Sequence, residues 1–314
     1  MSEASHYERL ISLAKGEPKR VCVVAHPCEE TALAGALQAR EQGVFELILV
    51  GPQQRLHALA QEHGYSLDGI TLIDTPHSHA SAEVAVQEVM AGRAQILMKG
   101  SLHTDELMHA ILCTAGKGLR TERRLSHVFV MSVPSYAEPL FITDAAINIF
   151  PDLNTKADIV QNAIDLHLGL GLGTPRVAIL SAVEQVTDKI PSTIEAAALC
   201  KMADRGQIVG GVLDGPLALD NAISPEAARI KNICSAVAGC AQILVVPDLE
   251  SGNMLAKNLI FLTGAKAAGI VLGARVPIVL TSRADSEITR LASCAVATLY
   301  AGHLARSVVA TGAK

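Results

Sequence analysis

Residue types that bind phosphate, metals or nucleotides are all present in this 314-residue chain, and their spacing decides what each can do. The run GLGLG at 169–173 is glycine-rich enough to cradle a dinucleotide. A dinucleotide loop, however, follows a strand and opens a helix. Here the glycines follow a helical stretch and precede the apolar run that begins at Val177, which is the order of a helix C-cap and linker. Lys117 in AGKG lacks the upstream glycine and the Ser or Thr of a phosphate-binding P-loop. His77 and His79 could chelate one ion together, but no acidic or further His neighbour completes a ligand set, so they read as polar loop residues and no metal is expected. The GxSxG and HExxH patterns are absent. There remain cations placed after apolar runs or on helices. Arg283 in TSRAD follows the run 278–280, where residues of an open sheet face a cleft, and a guanidinium forks onto phosphate oxygens. Taken alone, its commoner reading is a surface ion pair with Asp285 or Glu287. Lys257 lies four residues after Asn253, so on a helix the two share a face. Local pattern by itself yields a soluble α/β enzyme of unassigned chemistry.

The elements that must position these residues are legible as an alternation. Short β-type runs fall at 21–25, 47–50, 96–98, 128–131, 177–180, 208–212, 243–246 and 278–280. Helical spacing separates most of them, at 29–42, 53–63, 82–91 and 225–238, with a late helix at 287–304. Strands alternating with helices predict a parallel sheet covered on both faces. The exception is 128–131 followed so soon by 140–142 that the two predict an antiparallel hairpin. A domain boundary is expected near 143–150. Half the residues are hydrophobic but only 3% are aromatic and Trp is absent, so Ala, Val, Ile and Leu must fill the core. A net charge of −5 with scattered basic residues excludes a nucleic-acid surface. The longest uncharged stretch, 232–247, falls short of the roughly 20 apolar residues that span a bilayer. The N-terminus MSEASHYERL is not of the secretory kind, so a cytoplasmic location is expected. Seven cysteines with no CxxC pair read as reduced and mostly buried.

Five blocks change the reading of function: TDAAIN at 143–148, KIPSTIEAA at 189–197, GGVLDGPLALDNA at 210–222, PDLESGNMLAKNL at 247–259 and VPIVLTSRADS at 276–286. In that order and spacing they resemble the signature blocks of the phosphate acetyl/butyryltransferase family, most closely its butyryltransferase-like branch. The resemblance implies an α/β, two-domain isocitrate-dehydrogenase-like fold. Each domain would be a largely parallel sheet flanked by helices, with the active-site cleft between the domains. The first domain would comprise 1–145 plus 288–314, the second 146–287. The implied reaction is acyl-CoA plus phosphate giving acyl phosphate plus CoA. Coenzyme A is then a substrate, no cofactor is permanently bound, the partners are small molecules, and the chain is expected to form a homodimer or higher homo-oligomer. A catalytically weak relative that only binds CoA or phosphate is an alternative. A metal-dependent NAD dehydrogenase of the same fold is another, although neither the clustered aspartates nor the nucleotide loop it needs is found.

The resemblance also assigns residues. Arg283 and the adjacent Ser282 are expected on the phosphate, Ser282 also serving as a helix N-cap. Lys257 matches the lysine of the acyl phosphate pocket, and Asn253 either donates to the acyl carbonyl or caps its helix. Asp144 and Asn148 shape the cleft side of the boundary, with Asp144 either orienting a cation or capping the next turn. Ser126 matches a serine at the phosphate end in relatives. Lys99 supplies a positive strand end or a loop salt bridge. Three departures stand out. Thr289 occupies the place of the acidic residue that activates the thiol in the acetyl branch, which leaves Asp285 or Glu287 to substitute. Ala256 replaces a tyrosine and Met108 an arginine, replacements that point to an acyl group longer than acetyl.

Overall fold

Runs of Val, Ile, Leu and Ala without strict alternation form the strands, as expected where both faces are covered by helices. The structure is a computed structural model and describes residues 6–113, 118–280 and 286–312. Its chain divides into unit 1, Met1–Arg123 with Gly269–Lys314, and unit 2, Arg124–Ala268.

In unit 1, α1 (His6–Lys15) precedes β1 (Val21–Ala25), α2 (Glu30–Glu41), β2 (Glu46–Val50), α3 (Gln53–His63), β3 (Thr71–Ile73), α4 (Ser78–Met90), β4 (Ile96–Lys99) and α5 (Thr104–Leu112). After unit 2 the chain returns through β10 (Lys266–Leu272), β11 (Ile278–Val279) and α11 (Glu287–Gly312). The strand order is β3-β2-β1-β4-β11-β10. Every pair is parallel except β10–β11. The late helix packs on α1, where Tyr7, Leu10, Ile11 and Ala14 are buried, and Arg306 reaches Glu17 at 2.8 Å.

Unit 2 contains β5 (Ser126–Ser132), β6 (Leu140–Thr143), α6 (Leu153–Gly169), β7 (Arg176–Leu180), α7 (Pro191–Asp204), β8 (Val212–Leu217), α8 (Leu219–Ile223), α9 (Pro225–Ile230), β9 (Ile243–Val245) and α10 (Leu249–Thr263). The order β5-β6-β9-β7-β8 is parallel but for the expected hairpin β5–β6. Met131, Leu140, Ile142, Ala178, Leu180, Leu244 and Val246 belong to one buried cluster in this unit. Burial of each larger aliphatic there contributes about 1.5–3 kcal/mol. Lys156 of α6 is buried and pairs with Glu195 of α7, so its charge is not left alone among apolar groups.

These bounds differ from the expected 1–145/146–287/288–314. The hairpin belongs to unit 2 because β6 pairs with β9, Phe141 opposite Ile243 and Thr143 opposite Val245. The chain re-enters unit 1 before the late helix, because β11 pairs with β4. Two local expectations also shift. The strand expected at 208–212 begins only at Val212, since Gly210 has a φ of 85° and a side chain on Gly211 would meet Ile164 at 2.9 Å. The helix expected over 225–238 stops at Ile230, two residues before Asn232 turns left-handed at φ 55°. The GLGLG run does terminate a helix: α6 ends at Gly169, and Gly171 and Gly173 have φ of 72° and 82°.

His127, on β5, is buried against Phe129 with ring centroids 4.4 Å apart, and its Nδ1 has no hydrogen-bond partner among the described residues. Burial lowers its pKa to about 4. Well above pH 6.5, from about pH 7.5, the ring is neutral in both folded and unfolded chains. As pH falls from there toward 4 the unfolded chain takes up the proton first, so stability declines, by roughly 3 kcal/mol at most. Denaturant unfolding of wild type and His127→Phe at pH 7.5 and 4.5 checks this. The variant should lose less stability on acidification, and equal losses would show that the ring is solvated in the fold.

Candidate active site

The TDAAIN block begins where β6 ends. Thr143 is fully buried, and its Oγ1 donates to the His127 carbonyl at 2.8 Å. The Asp144 carboxylate accepts the N–H groups of Ala146, Ile147 and Asn148 at 3.0, 3.1 and 3.1 Å. It also accepts from Asn148 Nδ2 at 2.6 Å, and that amide donates in addition to the Leu125 carbonyl at 2.8 Å. Burial raises the Asp144 pKa, and these hydrogen bonds oppose the rise. These are the bonds of a cap: the carboxylate closes the turn that leaves β6.

Helix α10 is set against that turn. Asp248 caps it, accepting from Ser251 N at 2.8 Å in a capping box. Gly252 lets the helix come close, since a Cβ there would lie 2.7 Å from Val246 Cγ2 and 3.0 Å from the Asp144 carbonyl oxygen. Asn253 Nδ2 donates to the Ala145 carbonyl at 3.2 Å. Lys257 is exposed one turn further along and has no ion-pair partner among the described residues. Asp144, Asn148, Asn253 and Lys257 are therefore gathered on one turn and the helix packed on it. Ser126 stands apart from solvent: it is fully buried, and its Oγ accepts from Asn162 Nδ2 at 2.9 Å. Ala256 is buried on the inner face of the same helix.

Lys99, in unit 1, ends β4, and its Nζ donates to the carbonyls of Gly100 and Leu102 at 3.2 and 3.0 Å, which holds the turn after the strand. β11 runs parallel to β4 with Val279 opposite Met98, so Leu280 leaves the sheet at the same rim. Ser282, Arg283 and Asp285, which follow, lie outside the described residues, as does Lys117. Thr289 is buried and its Oγ1 accepts from Ser286 Oγ at 3.0 Å, an arrangement with no base in it. Of the other blocks, Thr193 in KIPSTIEAA donates to the Ile190 and Thr187 carbonyls, and Asp214 in LDGP accepts from Gly215 N. Both serve the backbone. The sequence reading passed over His26 in AHPCEE, whose only signal was its place directly after an apolar run.

Among the described residues no group of three His, Cys, Asp or Glu side chains is placed to hold a metal, and no helix is long and apolar enough to cross a membrane.

A largely parallel sheet covered by helices, with capped turns and cations at strand ends and on adjoining helices, defines an α/β enzyme class. Residues 78–298 match the family model described as "Phosphate acetyl/butaryl transferase". The chain is 66% identical to a phosphate acetyltransferase of Rhizobium meliloti over 98% of both proteins. It is 39% identical to a phosphate butyryltransferase of Clostridium acetobutylicum, over 95% of this chain and 98% of that one. Among solved structures, a branched-chain phosphotransacylase from Enterococcus faecalis superposes with a TM-score of 0.79 at 31% identity, covering 90% of this chain and 99% of the other. The chain belongs to the phosphate acetyl/butyryl transferase family and is a phosphate acyltransferase.

The positioning of α10 can be checked by Gly252→Ala. The added methyl must push Val246 or the Asp144 turn aside, at about 1–3 kcal/mol by the usual cost of overpacking. Denaturant unfolding should show that loss. Unchanged stability would mean that helix and turn are not in contact.

Proposed function

We propose that the chain transfers a short acyl group between coenzyme A and inorganic phosphate by direct thiolate attack in a ternary complex. The observation that carries this reading is the 66% identity, across 98% of both chains, to a protein named phosphate acetyltransferase. The sulfur of CoA attacks the carbonyl of the acyl phosphate, an oxyanion forms, and the C–O bond to phosphate breaks. In the other direction a phosphate oxygen attacks the thioester and the thiolate leaves. A leaving group with about two negative charges requires cations and charge-assisted donors, and the oxyanion requires fixed ones. Lys257, exposed on a helix whose N-terminus is capped and packed, is suited to the first need. Ser282 and Arg283 are assigned to the phosphate by the family resemblance, with Asp285 as ion partner or base. Asn253 retains a second amide N–H beyond the one given to Ala145. Asp144 and Asn148 act by holding the turn on which Asn253 rests, and Ser126 and Lys99 act through their own turns and strands.

The acyl group is proposed to be acetyl. Relatives named for acetyl transfer stand at 66%, 52%, 51% and 40% identity, those named for butyryl transfer at 38–41%. Ala256, one of the replacements that pointed to a larger acyl group, is buried in α10, so its small size serves helix packing. A two-domain isocitrate-dehydrogenase-like arrangement, a homodimeric state, a cytoplasmic location and CoA as substrate complete the proposal.

Release of CoA from acetyl-CoA and phosphate, read with a thiol reagent, tests it directly. Arg283→Ala should cost roughly 2–4 kcal/mol of transition-state stabilisation and Lys257→Ala about 2 kcal/mol, both measured as kcat/KM. Unaltered rates would remove these residues from the mechanism. A kcat/KM higher for butyryl-CoA than for acetyl-CoA would restore the larger acyl group.

A further inference from the structure

Unit 1 grows outward from β1 in two directions, with β2 and β3 on one side and β4 and β11 on the other. The carboxyl ends of β1 and β4 therefore flank a topological switch point, where open α/β sheets hold ligands. His26 stands there as the first residue after β1, with a left-handed φ of 56° that histidine accepts more readily than most side chains. The neighbouring turn fixes this backbone. Gly100 N donates to the Ala25 carbonyl at 2.9 Å, and Ser101 donates to the His26 carbonyl through both N and Oγ, at 2.9 and 2.8 Å. Ser101 Oγ also accepts from Cys28 N at 3.0 Å. Glycine is required at position 100, because a Cβ would lie 2.5 Å from the His26 carbonyl oxygen.

The ring is fixed as well. His26 Nδ1 lies 3.0 Å from the Oγ of Ser81, a fully buried residue on α4. Ser81 donates its own proton to the His77 carbonyl at 3.0 Å and lies 2.8 Å from Thr75 Oγ1. With that proton committed, Ser81 accepts from the imidazole, so the ring proton sits on Nδ1 and the lone pair on Nε2. Burial and, next, Arg55 of α3 lower the pKa of this half-buried ring. His77 adds to the lowering, and Glu106 of α5 and Glu29 before α2 oppose it. At neutral pH the ring is a neutral, oriented acceptor. Register aligns Val24, Met98 and Val279 across β1, β4 and β11. The ends of β1 and β11 are thus two strand spacings apart, about 10 Å.

We propose that His26 Nε2 accepts the proton of the attacking CoA thiol. This rests on the reading of the chain as an acyl-CoA:phosphate acyltransferase. As the S–H proton passes to Nε2, the C–S bond forms and the C–O bond to phosphate breaks, its electron pair leaving with phosphate. In reverse, the imidazolium returns the proton to the departing sulfur. A thiol of pKa about 8.5 is scarcely ionised at neutral pH, and a positioned base contributes roughly 10²–10⁴-fold.

The test compares the pH dependence of kcat for wild type, His26→Asn and His26→Ala in the CoA-forming direction. Asparagine tolerates the left-handed backbone and donates to Ser81, but it is no base. Both variants should lose roughly 10²-fold or more in kcat and the acidic limb of the wild-type profile, with KM little changed, and added imidazole should restore part of the rate in His26→Ala. Ser81→Ala, which leaves the ring in place but frees its tautomer, should lower kcat while keeping an acidic limb. A kcat for folded His26→Asn within threefold of wild type across the pH range overturns the assignment. So does a loss confined to KM, or an acidic limb that vanishes in Asp285→Asn but persists in His26→Asn. Absence of CoA formation in the wild type itself would instead overturn the proposed reaction.

Discussion

The Asp144 carboxylate is the fixed point of unit 2. Buried at the end of β6, it is costly to hold as a charge, and three consecutive backbone N–H groups and the Asn148 amide offset that cost. Those donors give the TDAAIN turn one shape. Gly252, without a side chain, then allows α10 to settle on it, and Asn253 locks the pair by donating to Ala145. The exposure of Lys257 follows from this chain of contacts, because a helix with Gly252 and Ala256 on its inner face must turn residue 257 outward.

Unit 1 meets the same requirement by different means. Among the described residues, no carboxylate plays the part of Asp144 at its rim. The ends of β1 and β4 are instead joined by backbone hydrogen bonds and one serine hydroxyl, with Gly100 giving the clearance. Lys99 turns its ammonium inward to two carbonyls of its own turn. The further cation that the sequence marks is Arg283, four residues after Val279 in the chain. In both units, polar side chains that the sequence offers as candidate site residues are occupied in shaping the backbone.

Much of this was legible in the sequence. Short aliphatic runs alternating with helical stretches mark strands covered on both faces, and the brief gap between 128–131 and 140–142 leaves no room for a crossover helix. The glycines at 169–173 follow a helical period, so they could only end it. What escaped were the short or mixed runs. β3 has three residues, and β10 opens on Lys266 in a run of small side chains, so neither carries a strong pattern. The helix expected to reach residue 238 was cut short by the left-handed Asn232, which no hydrophobic period reveals.

The sequence by itself determined the class: aliphatic core, βα rhythm, and five ordered blocks that identify a phosphate acyltransferase, because apolar periodicity and motif order are local properties written along the chain. Tertiary structure alone decided which polar residues are spent inside and which remain outside. Ser126 disappears behind Asn162, Asp144 is consumed by its own turn, and His26 is brought beside Ser81, far from it in sequence. Those outcomes depend on which strands become neighbours and which helix covers them, and such long-range pairings set burial and hydrogen-bond partners that no window of sequence contains.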